Sequence, residues 1–191
     1  MVFYLARHGE TQWNRLGLLQ GQLESELTEL GRKQAKELAS SLLDKNITHI
    51  FSSTLNRAKE TAEICAGLMT QPVSTSEQLV ERHFGHLQGM SFDELKKDPK
   101  YDSLWTDSIA FEPEGGESAD ASAKRLLNSL KSIAGKELAG QILCVSHGDI
   151  IRNFLNRHLH RNDEQSVPLL SNGQWMAVSY CPKAEQFTLV Q

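Results

Sequence analysis

The sequence predicts an α/β protein, a three-layer αβα sandwich with a mostly parallel central sheet. Short apolar runs that are typical of buried strands alternate along the chain with longer segments of helical periodicity. That alternation indicates βαβ units, whose crossovers place helices on both faces of the sheet. The 191 residues suit one domain, which we expect to span 1–191 with an irregular lid or substrate insert at about 82–117.

The first half of the chain supplies three predicted strands and two predicted helices. The strands are expected at residues 2–6, 48–53 and 72–79, and the helices at 28–45 and 55–70. The first helix has a repeat of four that predicts a largely apolar stripe, at Leu30, Gln34, Leu38 and Leu42. Thr54 precedes the second helix, and its hydroxyl is expected to act as the N-cap.

The pattern changes between about 82 and 117, where turn-forming residues interrupt any periodicity, namely Pro99, Pro113, Gly85, Gly89, Gly115 and Gly116. Ser91 and Glu94 have the spacing of a capping box, which predicts one short helix in this insert. After the insert, Ser118 is expected to cap a helix that runs to about 134. A buried strand at 141–146, a helix at 148–159 and an antiparallel pair at 174–180 and 186–191 complete the predicted elements.

Composition and charge exclude several classes of protein. The net charge is −4 and no basic run appears, which argues against nucleic acid or an anionic membrane as the main partner. No apolar run is long enough to cross a bilayer, and the first residues lack the pattern of a signal peptide. The cysteines Cys65, Cys144 and Cys181 are odd in number and widely spaced, so we expect free, buried thiols and a cytoplasmic protein.

Charged and imidazole side chains follow three of the predicted strands. Arg7 and His8 come directly after the first strand, Arg57 follows the second, and His147 follows the strand at 141–146. Because ligands bind at the carboxyl ends of the strands in such sheets, we expect these side chains to meet at one edge. Burying this charge is costly unless an anion balances it, and a guanidinium can bind two phosphate oxygens at once.

Glycines and helix starts at the same strand ends also favour an anion. Gly9 and Gly148 allow the backbone to approach a ligand closely. A helix that begins beside the ligand adds N–H donors and a favourable dipole. The residues therefore point to a bound phosphoryl group as the partner of Arg7 and His8.

Several short motifs occur in order along nearly the whole chain: RHGETQWN (7–14), LQG (19–21), LTELG (27–31), SSTLNRAKETA (52–62), ERHFGHLQG (81–89), PEGGES (113–118) and VSHGDIIR (145–152). Each motif alone is weak evidence, whereas their common order is specific. With these motifs the chain resembles the histidine phosphatase superfamily, also called the phosphoglycerate mutase-like family. The resemblance implies a phosphomonoesterase that hydrolyses a small phosphorylated substrate and releases inorganic phosphate.

The resemblance also implies roles for single residues. His8 would attack phosphorus as a neutral imidazole and carry a transient phosphoryl group. Glu81 would protonate the leaving oxygen and then deprotonate water, which requires a raised pKa. The other implied residues are the phosphate-binding Arg7, Arg57 and His147, with His147 working better protonated, and the substrate-binding Asn14, Gln20, Gly21 and Gly148. No metal and no other cofactor is implied, because the arginines stabilise the charge, and the oligomeric state stays open.

Each of these residues also has an ordinary structural interpretation. The arginines could be salt-bridge partners, His8 a hydrogen-bonded core histidine, and His147 a buried capping residue. Glu81 could form a solvated pair with Arg82, and the substrate-binding amides could simply face solvent. The aromatic residues of the insert could line a pocket or only hold the insert on the domain, at Phe92, Tyr101, Trp105 and Phe111. The histidines lack the spacing of a metal site.

Two other functions stay open beside the phosphatase. Gln88 stands where many phosphatases of the family have glutamate, and the motif at 81–89 is close to the form found in cofactor-dependent phosphoglycerate mutases. Those mutases have a larger insert with an arginine pair, whereas Arg82 is the only arginine between 82 and 117. Glu26 replaces a proline of the family pattern, at an expected cost in rigidity alone. The third hypothesis is a non-catalytic protein that binds a phosphorylated ligand.

Overall fold

The computed structural model describes residues 1–97, 104, 112–136, 138–160, 167 and 169–190. Its strands are β1 Val2–Arg7, β2 Ile47–Ser53, β3 Val73–Ser76, β4 Gln141–Ser146, β5 Leu159–His160, β6 Trp175–Cys181 and β7 Gln186–Leu189. They form one sheet in the order β3-β2-β4-β1-β6-β7-β5. The first four strands pair in parallel, and β6 lies antiparallel to both β1 and β7. The predicted mostly parallel sheet is confirmed.

Helices cover both faces of this sheet. They are α1 Gln12–Leu16, α2 Glu29–Ser41, α3 Asn56–Met69, α4 Phe92–Leu95, α5 Ala119–Ala134 and α6 Gly148–His158, with 3₁₀ turns at Glu77–Leu79 and Gly85–Leu87. Successive side chains of a strand point to opposite faces. Phe3 and Leu5 of β1 accordingly pack in one core cluster with α5 and α6, and Tyr4 and Ala6 pack in the other with α2 and α3. The three-layer αβα arrangement follows from this alternation.

Helix α2 is present, but only part of the predicted apolar stripe is buried. Leu38 and Leu42 are each 1 % exposed, as predicted, but Leu30 is 49 % exposed. Small residues share the buried side with the two leucines, at Gly31, Ala35 and Ala39. The reason is that α2 packs against the turn after β1, where only a residue without a side chain fits at Gly31. The helix also ends at Ser41, four residues before the predicted end.

The start of α3 also differs from the prediction. Leu55 occupies the N-cap position and makes no side-chain cap hydrogen bond, so the expectation for Thr54 is wrong. Instead, the carboxylate of Glu24 accepts from the backbone N–H of Asn56, at 3.1 and 3.2 Å. A negative group at a helix N-terminus is stabilised by the helix dipole. The cap of α3 is thus supplied by a distant part of the chain.

Short elements account for the other differences. Helix α1 and strand β5 were not predicted, and the expected strand at 72–79 divides into β3 and a 3₁₀ turn. In the insert, the capping box of Ser91 and Glu94 is present at the start of α4. Pro99, Tyr101, Trp105 and Phe111 lie outside the described residues, so the boundaries and role of the insert stay predictions.

The three cysteines are free thiols, but they do not share one environment. Cys65 and Cys144 are buried, and burial raises the pKa of the Cys65 thiol to about 12. Cys181 is exposed at the end of β6, which differs from the expectation that all three are buried. Within the described residues, no helix is both long enough and apolar enough to span a membrane.

Two glycine-to-alanine substitutions should have opposite effects on stability. A Cβ atom at Gly31 would clash with the backbone oxygen of Glu10, whereas a Cβ at Gly67 in α3 meets nothing within 4 Å. Gly67→Ala should therefore raise the free energy of unfolding by about 0.5–1 kcal/mol, because alanine favours a helix. Gly31→Ala should lower it by about 1–3 kcal/mol through overpacking. Urea unfolding of both variants checks this, and equal shifts in the two would contradict the proposed contact.

Candidate functional site

The carboxyl ends of β1 and β4 lie side by side and bring the predicted side chains together. Arg7 is paired with Ser146 in the register of these strands, and the backbone N–H of His8 donates to Ser146 O at 3.1 Å. His147 follows β4 directly, and its ring centroid lies 5.2 Å from that of His8. The expected convergence is therefore present, between residues that lie 139 positions apart in the sequence.

The imidazole of His8 is held in one orientation and one tautomer. Its Nδ1 lies 2.7 Å from the carbonyl oxygen of Gly9. Because a carbonyl can only accept, Nδ1 carries the proton and a neutral ring has its lone pair on Nε2. Burial, followed by the positive charges of Arg57 and Arg7, lowers the pKa of His8 well below its ordinary value of 6.5. His8 is thus a neutral imidazole, and its Nε2 makes no hydrogen bond to any of the described residues.

Arg57 reaches the site from the first turn of α3 and is only 1 % exposed. Its two terminal nitrogens donate to Leu23 O at 2.8 Å and Gly21 O at 2.6 Å. Its Nε is buried and has no hydrogen-bond partner among the described residues. Burial lowers the pKa of Arg57 to about 10, although the negative charges of Glu81 and Glu24 act against that change. The guanidinium stays charged at neutral pH.

Arg7 is held in a similar way at the end of β1. Its Nη1 donates to Leu170 O at 2.8 Å, and its Nε is buried with no hydrogen-bond partner in the described part of the chain. A Cβ atom at Gly148 would lie 3.2 Å from this Nε and 2.9 Å from Leu169 Cδ1. Glycine at 148 therefore allows Arg7 to pass close to the start of α6.

His147 is fully buried behind His8. Its Nε2 lies 2.8 Å from Ser53 Oγ, while Nδ1 is buried with no hydrogen-bond partner in the described structure. It occupies the N-cap position of α6, but its side chain makes no cap hydrogen bond, so a capping role for the imidazole is wrong. Burial, then the charge of Arg57, lowers its pKa well below 6.5. This differs from the expected protonated state, because burial disfavours the charged imidazole and the nearby arginines then repel a further positive charge.

The carboxylate of Glu81 lies against the N-terminus of α6, and the residue is 8 % exposed. Its Oε1 accepts from the backbone N–H groups of Arg82 and Ile150, both at 2.9 Å, and its Oε2 accepts from that of Asp149 at 3.1 Å. Burial and the charge of Asp149 raise the pKa of Glu81, whereas these three hydrogen bonds lower it. The alternative of a solvated pair with Arg82 is wrong, because the Arg82 side chain is 1 % exposed and lies 3.5 Å from Asp149.

The substrate-binding residues of the prediction lie around the same space. Asn14 belongs to the capping box of α1, where its Oδ1 accepts from the backbone N–H of Thr11 at 3.1 Å and from Asn172 Nδ2 at 3.1 Å. The Oε1 of Gln20 is buried with no hydrogen-bond partner among the residues described. Gly21 has a φ of +54°, and a Cβ there would clash with the side chain of Gln88. Asn14 thus has a structural role here as well.

A pocket of about 70 Å³ opens between these elements. Its lining contains every predicted site residue except His147: Arg7, His8, Asn14, Gln20, Gly21, Arg57, Glu81 and Gly148. Asp149 and five apolar residues complete it, namely Leu18, Leu19, Phe84, Phe92 and Leu169. Within the described ranges, no three His, Cys, Asp or Glu side chains come close enough together to hold a metal ion. The pocket thus has a cationic end and an apolar side.

Sequence reasoning missed several residues that hold this site. Ser53 bonds His147, and Asp149 lines the pocket beside Glu81. Both lie next to predicted residues in the motifs, and that adjacency was the available signal. Arg125, which contacts the segment around Glu81, lies in the middle of α5 with no motif of its own. Phe92 combines both proposed aromatic roles, since it lines the pocket and packs with the cluster around Leu19 and Phe84.

Acid should destabilise the folded protein through its two buried histidines. His8 and His147 bind protons more readily in the unfolded chain, so the free energy of unfolding should fall once the pH drops below about 6.5, by at most about 1.4 kcal/mol per pH unit for each. Glu81 acts in the opposite direction between its ordinary pKa of 4.5 and its raised folded value. Urea unfolding at pH 7 and pH 5 measures the difference. His147→Gln should reduce this difference in the free energy of unfolding, whereas substitution of the exposed His86 by Gln should not. An equal reduction in both variants would contradict the assignment of the acid effect to the buried histidines.

Comparisons with known proteins agree with this geometry. The profile of the Histidine phosphatase superfamily (branch 1) matches residues 3–191. A metal-independent phosphoserine phosphatase of Arabidopsis thaliana is 40 % identical over 153 residues, covering 78 % of this chain and 64 % of the relative, so the chain spans less than two thirds of that protein. A probable phosphoglycerate mutase GpmB of Photorhabdus laumondii is 35 % identical over 150 residues, or 76 % of this chain and 68 % of its own.

The structural comparison extends over almost the whole chain. A mycobacterial glucosyl-3-phosphoglycerate phosphatase, solved with VO3, superposes with a TM-score of 0.87 and 27 % identity, covering 99 % of this chain and 96 % of that one. Its sequence identity is modest, but the superposition includes the strands that carry the site. Since profile, relatives and fold agree, this chain belongs to the histidine phosphatase superfamily.

Proposed function

We propose that the chain is a phosphomonoesterase that hydrolyses small phosphorylated metabolites and releases inorganic phosphate. The observation that carries this proposal is a set of three buried nitrogens near the carboxyl ends of the parallel strands. These nitrogens lack hydrogen-bond partners among the described residues, and they are Arg7 Nε, Arg57 Nε and His147 Nδ1. Buried donors without acceptors are rare and costly. A phosphoryl group supplies the oxygen acceptors and the negative charge that these nitrogens require.

His8 is the proposed nucleophile. Its Nε2 lone pair forms a bond to phosphorus while the bond from phosphorus to the ester oxygen breaks, and the proton of Glu81 passes to that oxygen. In the second step, water attacks phosphorus and gives its proton to Glu81 while the bond to Nε2 breaks. Phosphate then leaves, and both residues return to their first states. The neutral tautomer of His8 and the raised pKa of Glu81 suit these roles.

The cations are proposed to stabilise the charge on the transferring group. Phosphate binding opposes the repulsion that lowers the pKa of His147, and so favours its protonated form. A neutral His147 can also donate, because a Ser53 hydroxyl that donates to Nε2 leaves the ring proton on Nδ1. In both forms Nδ1 supplies a hydrogen bond to a phosphate oxygen.

The remaining predicted residues are proposed to bind the substrate around the phosphoryl group. The buried Oε1 of Gln20 can accept from a hydroxyl of the substrate or of a protonated phosphate. Asn14 lies in the pocket wall, and Gly148 allows Arg7 to come close. Gly21 contributes through its carbonyl, which binds Arg57.

A phosphatase is favoured over the two alternatives. A probable phosphoglycerate mutase is among the relatives, so the mutase hypothesis has to be tested as well. However, Arg82, the one arginine of the insert, is buried beside Asp149 and does not line the pocket among the described residues. A non-catalytic binder would need neither a His8 Nε2 without a partner among the described residues nor an acid of raised pKa in the same pocket.

Turnover of p-nitrophenyl phosphate tests the proposal. The enzyme should hydrolyse it, vanadate should inhibit as a five-coordinate mimic of phosphorus under attack, and EDTA should have no effect. Rapid quench with labelled substrate should trap acid-labile phosphate on the protein. Absence of turnover on a panel of phosphomonoesters would support a binding protein, and interconversion of 2- and 3-phosphoglycerate with bisphosphoglycerate would support a mutase. Activity lost in EDTA and restored by zinc or magnesium would contradict the metal-free mechanism.

A further inference from the structure

Arg125 in the middle of α5 binds the backbone of the segment that carries Glu81. Its Nη1 donates to Gln78 O at 3.0 Å and Val80 O at 2.8 Å, and its Nη2 donates to Glu81 O at 3.3 Å. This guanidinium thus contacts three carbonyl groups within four residues of the chain. The segment has no regular sheet pairing at Glu81 itself, so Arg125 replaces the strand hydrogen bonds that would otherwise position it.

Glu117 holds Arg125 in that orientation. Its two carboxylate oxygens accept from Nε and Nη2 of Arg125 at 3.0 and 2.8 Å, with both side chains less than one-fifth exposed. A bidentate pair of this kind fixes the plane of the guanidinium. Glu117 is the second glutamate of the PEGGES motif, and the proposed mechanism assigns no role to it.

The same glutamate also joins the two ends of the insert. Its backbone N–H donates to His83 O at 2.8 Å, and its backbone oxygen accepts from Arg82 Nε at 2.7 Å. Gln22 adds a bond from its side chain to Glu81 O at 2.8 Å. The backbone on both sides of Glu81 is therefore bound to Glu117, either directly or through Arg125.

We propose that Arg125, oriented by Glu117, is a positioning residue for Glu81 and determines how well the enzyme hydrolyses esters with poor leaving groups. This inference rests on the proposed function, because it assumes that Glu81 is the general acid. Arg125 is not among the described residues that line the pocket, so it would act on Glu81 through the backbone of that residue. Its positive charge also contributes to the lowered pKa of His147, and Arg125→Lys keeps that charge. A general acid has to lie within hydrogen-bond reach of the leaving oxygen, and a displacement of about 1 Å can cost about 10²-fold in rate.

The experiment compares two substrates in each variant. p-Nitrophenolate leaves without help from an acid, whereas phenolate needs a proton, so the ratio of kcat/KM for p-nitrophenyl phosphate over phenyl phosphate reports on the acid. Arg125→Gln should raise this ratio about tenfold, Glu117→Gln should raise it by less, and Arg125→Lys should restore part of the difference. Lys131→Gln is the matched control, because it removes another ion pair of α5, to Glu185 at 2.6 Å, away from Glu81.

The outcomes separate this inference from the proposed function. A wild-type enzyme without turnover overturns the proposed function itself. If the wild type is active but Arg125→Gln lowers kcat/KM equally for both substrates, Arg125 is only structural and the inference is wrong. If Arg125→Gln fails to fold by circular dichroism, Glu117→Gln decides, because it keeps the shape of the side chain. An unchanged ratio in that variant overturns the inference.

Discussion

Replacing His8 with alanine should lower the turnover of p-nitrophenyl phosphate by at least about 10⁴-fold. The substitution removes the only nitrogen that the proposed mechanism uses to attack phosphorus. Arg7 and Arg57 do not depend on the imidazole for their hydrogen bonds, since they bind the carbonyl groups of Leu170, Leu23 and Gly21. The variant should therefore still bind phosphate, within about tenfold of the wild-type affinity, when measured by calorimetry.

His86→Ala is the control for His8→Ala. His86 is an exposed histidine of the insert and does not line the pocket, so its loss should leave turnover unchanged. A phosphorylated protein band that persists in His8→Ala after rapid quench would place the covalent intermediate on another residue.

Glu81→Gln should slow phenyl phosphate hydrolysis by about 10²- to 10⁴-fold and p-nitrophenyl phosphate hydrolysis far less. An amide cannot give up the proton that a phenolate leaving group requires. The raised pKa of Glu81 also predicts that, for the wild type, kcat/KM with phenyl phosphate falls at high pH as the carboxylic acid is deprotonated. That basic limb of the pH profile should disappear in Glu81→Gln.

The ratio of the hydrolysis rates of the two substrates does not depend on how much of the variant is folded. The amide nitrogen of glutamine would face backbone N–H groups at Arg82, Asp149 or Ile150, with a cost of about 1–3 kcal/mol in stability. Partial unfolding lowers both rates equally and leaves their ratio constant. Equal slowing of both substrates at full folding would show that Glu81 is not the acid.

The site keeps its positive charge available because the arginines are held by neutral groups. The nitrogens of Arg7 and Arg57 that have partners bind backbone carbonyls, and no carboxylate accepts from either guanidinium among the described residues. Arg82 contrasts with them, because it is paired with Asp149. A carbonyl dipole orients a guanidinium without neutralising it, so the full charge remains to attract an anion.

Local sequence patterns predicted the parts of this protein that local interactions determine. The strand at 141–146 and the capping box of Ser91 and Glu94 depend on residues that are neighbours in the chain, and both are present. The predicted stripe of α2 holds at Leu38 and Leu42 but not at Leu30, and the cap at Thr54 was wrong, because a distant segment decides each of these two positions. Helix α2 turns its glycine towards the loop after β1, and α3 takes its cap from Glu24.

The sequence by itself determined the fold class, the family and the candidate residues of the site, because burial patterns and motif order can be read along one dimension. The resemblance implied a neutral His8 and a raised pKa for Glu81, but only the tertiary structure gave the physical causes of these pKa changes and the lowered pKa of His147. The physical reason is that desolvation and Coulomb energies depend on distances and burial in space, which the order of residues does not contain.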